Sequence, residues 1–141
     1  MSSTRNFSIV SLLLVLSLLA TGCGPASPAG LSDEEVRAVT ENMLTAIDTG
    51  DYAAFTRDFG AEMLAAFPED QFTQLRDLLH AASGTYTSCG ESSLSNNQGF
   101  AVYRILCTYE LEAVVVTVVF QIGGTQVEGL FFDSPNLRSN Q

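Results

Sequence analysis

The sequence predicts an α+β domain: three helices in the first half of the mature chain, packed on a four-stranded antiparallel meander in the second. Three observations predict it. The stretch Phe100–Asp133, FAVYRILCTYELEAVVVTVVFQIGGTQVEGLFFD, is dense in Val, Ile, Phe and Tyr, contains no Pro, and is interrupted once by Gly-Gly. That composition belongs to consecutive strands. Residues 32–84 instead carry apolar side chains at spacings of three and four between helix start and stop signals. Finally, Cys89 and Cys107 are equidistant from residue 98, inside a strong turn signal, as the two arms of one hairpin would place them.

The domain does not begin at Met1. After Arg5, the first charge, Ile9–Ala20 (IVSLLLVLSLLA) is an apolar run of 12 residues. It is too short for a comfortable transmembrane helix and has the length of a secretory h-region. Leu19-Ala20-Thr21-Gly22-Cys23 then resembles the bacterial lipobox, in which cleavage before the Cys leaves its thiol carrying a diacylglyceryl group. The match departs at the position three before the Cys, usually Leu and here Ala20. Ordinary cleavage after Ala20-Thr21-Gly22, with Cys23 as a free thiol, is the competing reading; an odd exposed Cys in an oxidising compartment disfavours it. The expected organisation is a signal peptide at 1–22, a small-residue tether at 23–30, the α+β domain at 31–134 and a polar tail at 135–141. The expected location is the bacterial envelope, extracytoplasmic and lipid-anchored to the membrane through Cys23.

Each helix has its own punctuation. Ser32-Asp33-Glu34-Glu35 is a capping box, and behind it Val36, Val39, Met43 and Ile47 form an apolar stripe flanked by Leu44. Thr49-Gly50 stops that helix, and Asp51 caps a shorter one in which Tyr52, Phe55 and Phe59 share a face. Ala61–Phe67 adds a helical turn. Pro68, followed by Glu69 and Asp70, opens the third helix, whose buried face is expected at Phe72, Leu75, Leu78 and Leu79 and whose end is Gly84.

The strands follow. Thr85–Leu94 is the first, Asn96-Asn97-Gln98-Gly99 the turn, and the second runs to about Leu111, with Glu112-Ala113 as a tight reversal. Val114–Ile122 is apolar on both faces and is therefore placed centrally. Gly123-Gly124 reads as a two-residue primed turn into Thr125–Asp133, where Gly129 marks a bulge or a close approach. A hairpin folded about residue 98 brings Cys89 and Cys107 face to face, and an exported chain meets an oxidising compartment, so a disulfide is preferred to two buried thiols.

Charge excludes some functions. Asp and Glu number 16 against 6 basic residues, all Arg, for a net charge of −10. Nucleic acid, whose phosphates need a basic face, is excluded as a partner, and so is electrostatic docking on anionic lipid. No motif for a metal or cofactor occurs, and the single His80 has no ligand set around it in the sequence.

Three helices before a four-stranded meander, with Ile47-Asp48-Thr49-Gly50-Asp51-Tyr52, the helix-ending Gly84-Thr85-Tyr86 and Val127-Glu128-Gly129-Leu130-Phe131-Phe132, resemble the nuclear-transport-factor-like (SnoaL-like) superfamily. More narrowly, the chain is similar to an uncharacterised bacterial extracytoplasmic lipoprotein domain. The resemblance spans roughly Leu31–Asp133 and implies a cone, with a curved sheet and helices enclosing a pocket. Superfamily members include pocket enzymes of the ketosteroid-isomerase type and many non-catalytic binders, and fold alone does not choose between them. An enzyme needs a general base in an apolar pocket; Asp48, Asp58, Glu110, Glu112, Glu128 and His80 are candidates, and none stands in a constellation. Glu110, Glu112 and Glu128 read as solvated charges, and His80 as a residue at a helix C-terminus. A binder needs only an apolar cavity, which Tyr52, Phe55, Phe59, Tyr103, Tyr109 and Phe120 would line, although a filled core is the preferred reading of these aromatics; Arg104 would anchor an anion or, by preference, form a salt bridge. A third class is a filled core with a homodimer through the outer sheet face. The expectation is a non-catalytic domain, without cofactor, that binds a small ligand or a protein partner.

Overall fold

The computed structural model describes residues 30–139, an α+β domain of helices and one four-stranded antiparallel sheet. The expected signal peptide, Cys23 and the expected tether up to residue 29 lie outside the described residues, as do residues 140–141.

Helix α1 (Asp33–Thr49) starts where the capping box places it: Ser32 Oγ accepts the Glu35 N–H, and Glu35 Oε2 accepts the Ser32 N–H at 2.8 Å. It ends at Gly50, whose φ of +73° suits a residue without a Cβ. Asp51 caps the short α2 (Tyr52–Phe55) by accepting the Ala54 N–H at 2.9 Å. Helices α3 (Ala61–Ala66) and α4 (Glu69–Ser83) follow, so the expected helical turn after Gly60 is a helix of its own.

Strands β1 (Tyr86–Asn97), β2 (Phe100–Tyr109), β3 (Ala113–Gln121) and β4 (Val127–Asp133) pair in chain order. Asn97 pairs with Phe100, which leaves Gln98-Gly99 as a two-residue turn with both φ positive, 49° and 89°. The β3–β4 connection differs from the expected two-residue turn. The ladder starts only at Phe120–Val127, and Gly123 has φ +80° within a wider loop. The reason is tertiary: the Val127 N–H donates to Asp58 O at 2.8 Å and Val127 O accepts the Gly60 N–H at 2.9 Å, which holds the start of β4 against the α2–α3 link. One step on, Val119 pairs with Gly129, so Glu128 is the extra residue of a β-bulge. A Cβ at Gly129 would lie 3.3 Å from Val119 Cβ, so both readings of that glycine hold.

The core lies between the helices and the inner sheet face. Val36, Met43, Leu44 and Ile47 of α1 and Phe72 and Leu79 of α4 are buried against Ile105, Val116, Val118 and Phe120. Burial follows the predicted α1 stripe, except that Val39 is half-buried. It departs in α4, where Leu75 is half-buried and Leu78 is exposed, because the sheet ends at β4 and gives Leu78 nothing to pack under. The C-terminal segment also departs. Pro135–Ser139, expected as a polar tail, forms the short helix α5 and buries Leu137.

Candidate functional site

The aromatic residues that would line a ligand cavity pack as core, in line with the preferred reading of the sequence. Phe55 contacts Phe59 and Phe72 with ring centroids 5.0 and 4.9 Å apart, and both Phe55 and Phe59 are buried. Tyr103 and Phe120 meet edge to face at 5.8 Å, a favoured arrangement for two quadrupoles. The Tyr103 hydroxyl donates to Leu31 O at 2.7 Å, which ties the start of the domain to β2. Half-buried Tyr52 donates to Phe67 O at 2.8 Å. Tyr109 is buried, and its hydroxyl has no hydrogen-bond partner among the described residues. Burial pushes the Tyr109 phenol up, with the nearby Asp48 carboxylate adding to the effect. Arg104 does not point into the core. It is exposed on β2, alternating with buried Tyr103 and Ile105, and forms no salt bridge among the described residues.

The candidate bases are distributed differently from their expected roles. Asp48 and His80 lie 32 residues apart in sequence yet meet at 3.0 Å, Asp48 Oδ1 to His80 Nε2. The second Asp48 oxygen accepts the Tyr86 N–H at 3.0 Å, so one carboxylate joins the ends of α1 and α4 to the start of β1. Sequence reading missed this constellation; its one signal is that both residues sit in a last helical turn before a glycine, Gly50 and Gly84. The Asp48 side chain is 16% exposed and that of His80 37%. The pair can orient an imidazole, and its geometry is that of a clamp. Tyr86 beside it is pushed up to about 12, by burial and then by the nearby Glu41 carboxylate.

Glu112, expected as a solvated charge, is half-buried and holds three donors. Its Oε1 accepts Ser83 Oγ and Ser134 Oγ, both at 2.6 Å, and Oε2 accepts the Asn136 N–H at 3.1 Å. Burial pushes its carboxyl up, but the Ser134, Ser83 and Asn136 bonds outweigh it and hold the group below its ordinary value. The sequence conceals this role because Ser83 and Ser134 reach Glu112 only once α4 and β4 are packed. Glu110 is exposed, as expected, and accepts both the N–H and Oγ–H of Thr85, bonds that lower its pKa. Asp58 pairs with Arg57 at 2.8 Å. The bulge turns Glu128 towards Gly60, where a Cβ would stand 2.5 Å from its carboxylate.

Cys89 and Cys107 form a disulfide with Cα atoms 4.0 Å apart, at directly paired positions of β1 and β2. Among the described residues, no group of three His, Cys, Asp or Glu could hold a metal, and no helix is long and apolar enough to cross a membrane.

Two surface features remain. The outer sheet face alternates with the core residues: Phe100, Val102, Leu106, Val115, Val119 and Phe131 share it with Arg104 and Thr117. Leu106 is 59% and Phe131 62% exposed, and no described element packs over them. The second is a groove of about 240 Å³ beside β4, lined by leucines of α4, Leu137 of α5 and Leu130–Phe132. A polar hollow at the β3–β4 loop contains Glu128 but no apolar wall. Compared with known proteins, the chain matches no family model and no curated sequence.

Proposed function

We propose that this protein is a lipid-anchored extracytoplasmic domain that binds a protein partner, in the first instance a second copy of itself, through the outer face of its sheet. One observation carries the reading: the aromatics that would line a ligand pocket fill the core, while a contiguous apolar sheet face stands in solvent. Charge supports a second copy as the occupant. On the outer face of β2 to β4 the charged residues are Arg104 and Asp133, and Asp133 is paired with Arg138 at 2.6 Å. A chain of net charge −10 meets itself there with least repulsion. The disulfide supports an oxidising compartment and hence the exported address read from residues 1–22. The resemblance to the nuclear-transport-factor-like superfamily belongs to the same proposal, with the pocket replaced by side chains.

Native mass spectrometry of protein extracted in mild detergent from a bacterial host tests both parts. The reading expects diacylglyceryl mass on the Cys23 peptide and a dimer that Leu106→Glu converts to monomer without loss of far-UV circular dichroism. A monomer at every concentration, or a dimer indifferent to Leu106→Glu, removes the sheet-face reading. Bare Cys23 removes the anchor and leaves the interface standing.

A further inference from the structure

We propose that the outer edge of β4, with the leucine groove beside it, is a docking site for an extended segment of a partner polypeptide that carries alternating apolar side chains and a basic flank. This site meets the outer sheet face only at Phe131, which borders both, and does not rest on the dimer reading.

The edge dictates an extended occupant. Val127 is bonded on its outer side to Asp58 and Gly60, but from Leu130 to Asp133 no described residue offers β4 a backbone partner beyond β3. Alternate N–H and C=O groups of such a strand point outwards, and only another extended backbone satisfies them in series. The chain already does this once. Phe59 forms a parallel bridge with Val127 before the backbone leaves into α3, so a guest strand would continue a line that the α2–α3 link begins.

The groove dictates the guest's side chains. Leu75, Leu78 and Leu79 of α4, Leu137 of α5, and Leu130 and Phe132 of β4 wall a volume of about 240 Å³. That is below the roughly 300–1,000 Å³ of clefts that enclose drug-sized molecules, and it suits side chains reaching in from a strand. Since alternate residues of a strand face one side, every second guest residue would be apolar. Exposed Leu78, with no partner in the core, acquires one here.

Charge argues against a second β4 as the guest. Asp133 is paired with Arg138, which leaves Glu128 as the other acidic residue of the strand, and antiparallel pairing of two such edges sets two chains of net charge −10 against each other. A foreign segment with Lys or Arg at its flank meets the Glu128 carboxylate, and a chain of net charge −10, with complementary sign.

The test is selection of random twelve-residue peptides displayed on phage against the purified full chain, followed by amide hydrogen exchange with the selected peptide. We expect peptides with apolar residues at every second position and a basic flank, and slowed exchange at Leu130–Asp133. Leu78→Asp should weaken binding by about tenfold or more, the consequence of a carboxylate in an apolar groove. N-methylation of alternate peptide amides should do the same by removing edge hydrogen bonds. Leu111→Ser, in the exposed β2–β3 connection outside both sites, should leave peptide affinity unchanged, and circular dichroism of both variants reports their fold. The proposal is overturned if no peptide is enriched over bare support. Equal binding to a folded Leu78→Asp variant, or indifference to N-methylation, also overturns it. Concentration-dependent protection of β4 without peptide would assign the edge to a second copy instead.

Discussion

Removing the Cys89–Cys107 disulfide should lower stability by a calculable amount and release one strand ahead of the rest. The bond closes a loop of sequence separation 18, and the chain-entropy relation assigns such a loop about 3 kcal/mol at 25 °C. A domain of this size has a urea slope of about 1–3 kcal/mol per molar, so the midpoint should fall by roughly 1–3 M. β1 should respond most. It is Ser-rich and most of its residues are exposed, so the backbone ladder to β2, contacts with α1 and the disulfide hold it in place. By contrast, β3 buries Val114, Val116, Val118 and Phe120. The assay is urea unfolding of the oxidised chain, the reduced chain and the Cys89→Ala/Cys107→Ala variant, followed by circular dichroism, with amide exchange resolved by strand. Reduced and doubly substituted chains should agree, and β1 amides should lose protection before β3 amides. A midpoint shift below about 0.5 M would refute the loop-entropy argument. Loss of protection spread evenly over the sheet would refute the view that β1 depends on the bond.

Around Glu112 the effects should be unequal. Glu112→Ala leaves two buried serine hydroxyls without their acceptor, at about 1–3 kcal/mol each, whereas Ser83→Ala/Ser134→Ala strands one buried donor, the Leu137 N–H that Ser134 Oγ accepts at 3.2 Å, and a half-buried carboxylate that water reaches. Thermal melts should therefore rank Glu112→Ala below the double serine variant, and the reverse order would make the cluster incidental. Because the folded Glu112 carboxyl is held below its ordinary value, its stabilisation is present at neutral pH and is lost as the pH falls below about 4. A Glu112→Gln chain should accordingly lose less melting temperature between pH 7 and pH 3 than the unsubstituted chain. Gly84→Ala should cost about 1–3 kcal/mol in urea titrations, since φ +81° with ψ −158° is a glycine conformation and a Cβ there would lie 2.9 Å from Glu110 Cβ. Gly99→Ala, with open space around it, should cost less.

The helices and strands were legible because their signals are local. The Ser32 box, the Asp51 cap and the Gly50 stop act within a few residues, and all three hold in the structure. The cysteine pairing was legible for a related reason: in a hairpin, sequence distance from the turn translates directly into register. Less was legible in the site. Asp48 and His80 were read as isolated groups because nothing in a one-dimensional pattern records two helix ends meeting. Arg104 forms neither the anion contact nor the salt bridge expected of it among the described residues; alternation with buried Tyr103 and Ile105 places it outwards, a period-two signal that the sequence itself carries.

By itself the sequence determined an α+β chain, the order of its main helices and strands, the hairpin about residue 98 and a net charge of −10. These depend on periodicity, caps and composition, each a property of neighbours in the chain. Tertiary structure alone decided that the aromatic residues fill the core, that Glu112 is a three-donor anchor, and that Glu128 occupies a bulge. It also decided that Pro135–Ser139 forms a helix that buries Leu137 and that Leu78 lines a groove beside a strand edge. The physical reason is the same in each case. Whether an apolar side chain encloses space or fills it, and whether a carboxylate finds donors or water, depends on what other segments bring within a few ångströms, and local pattern does not encode that distance.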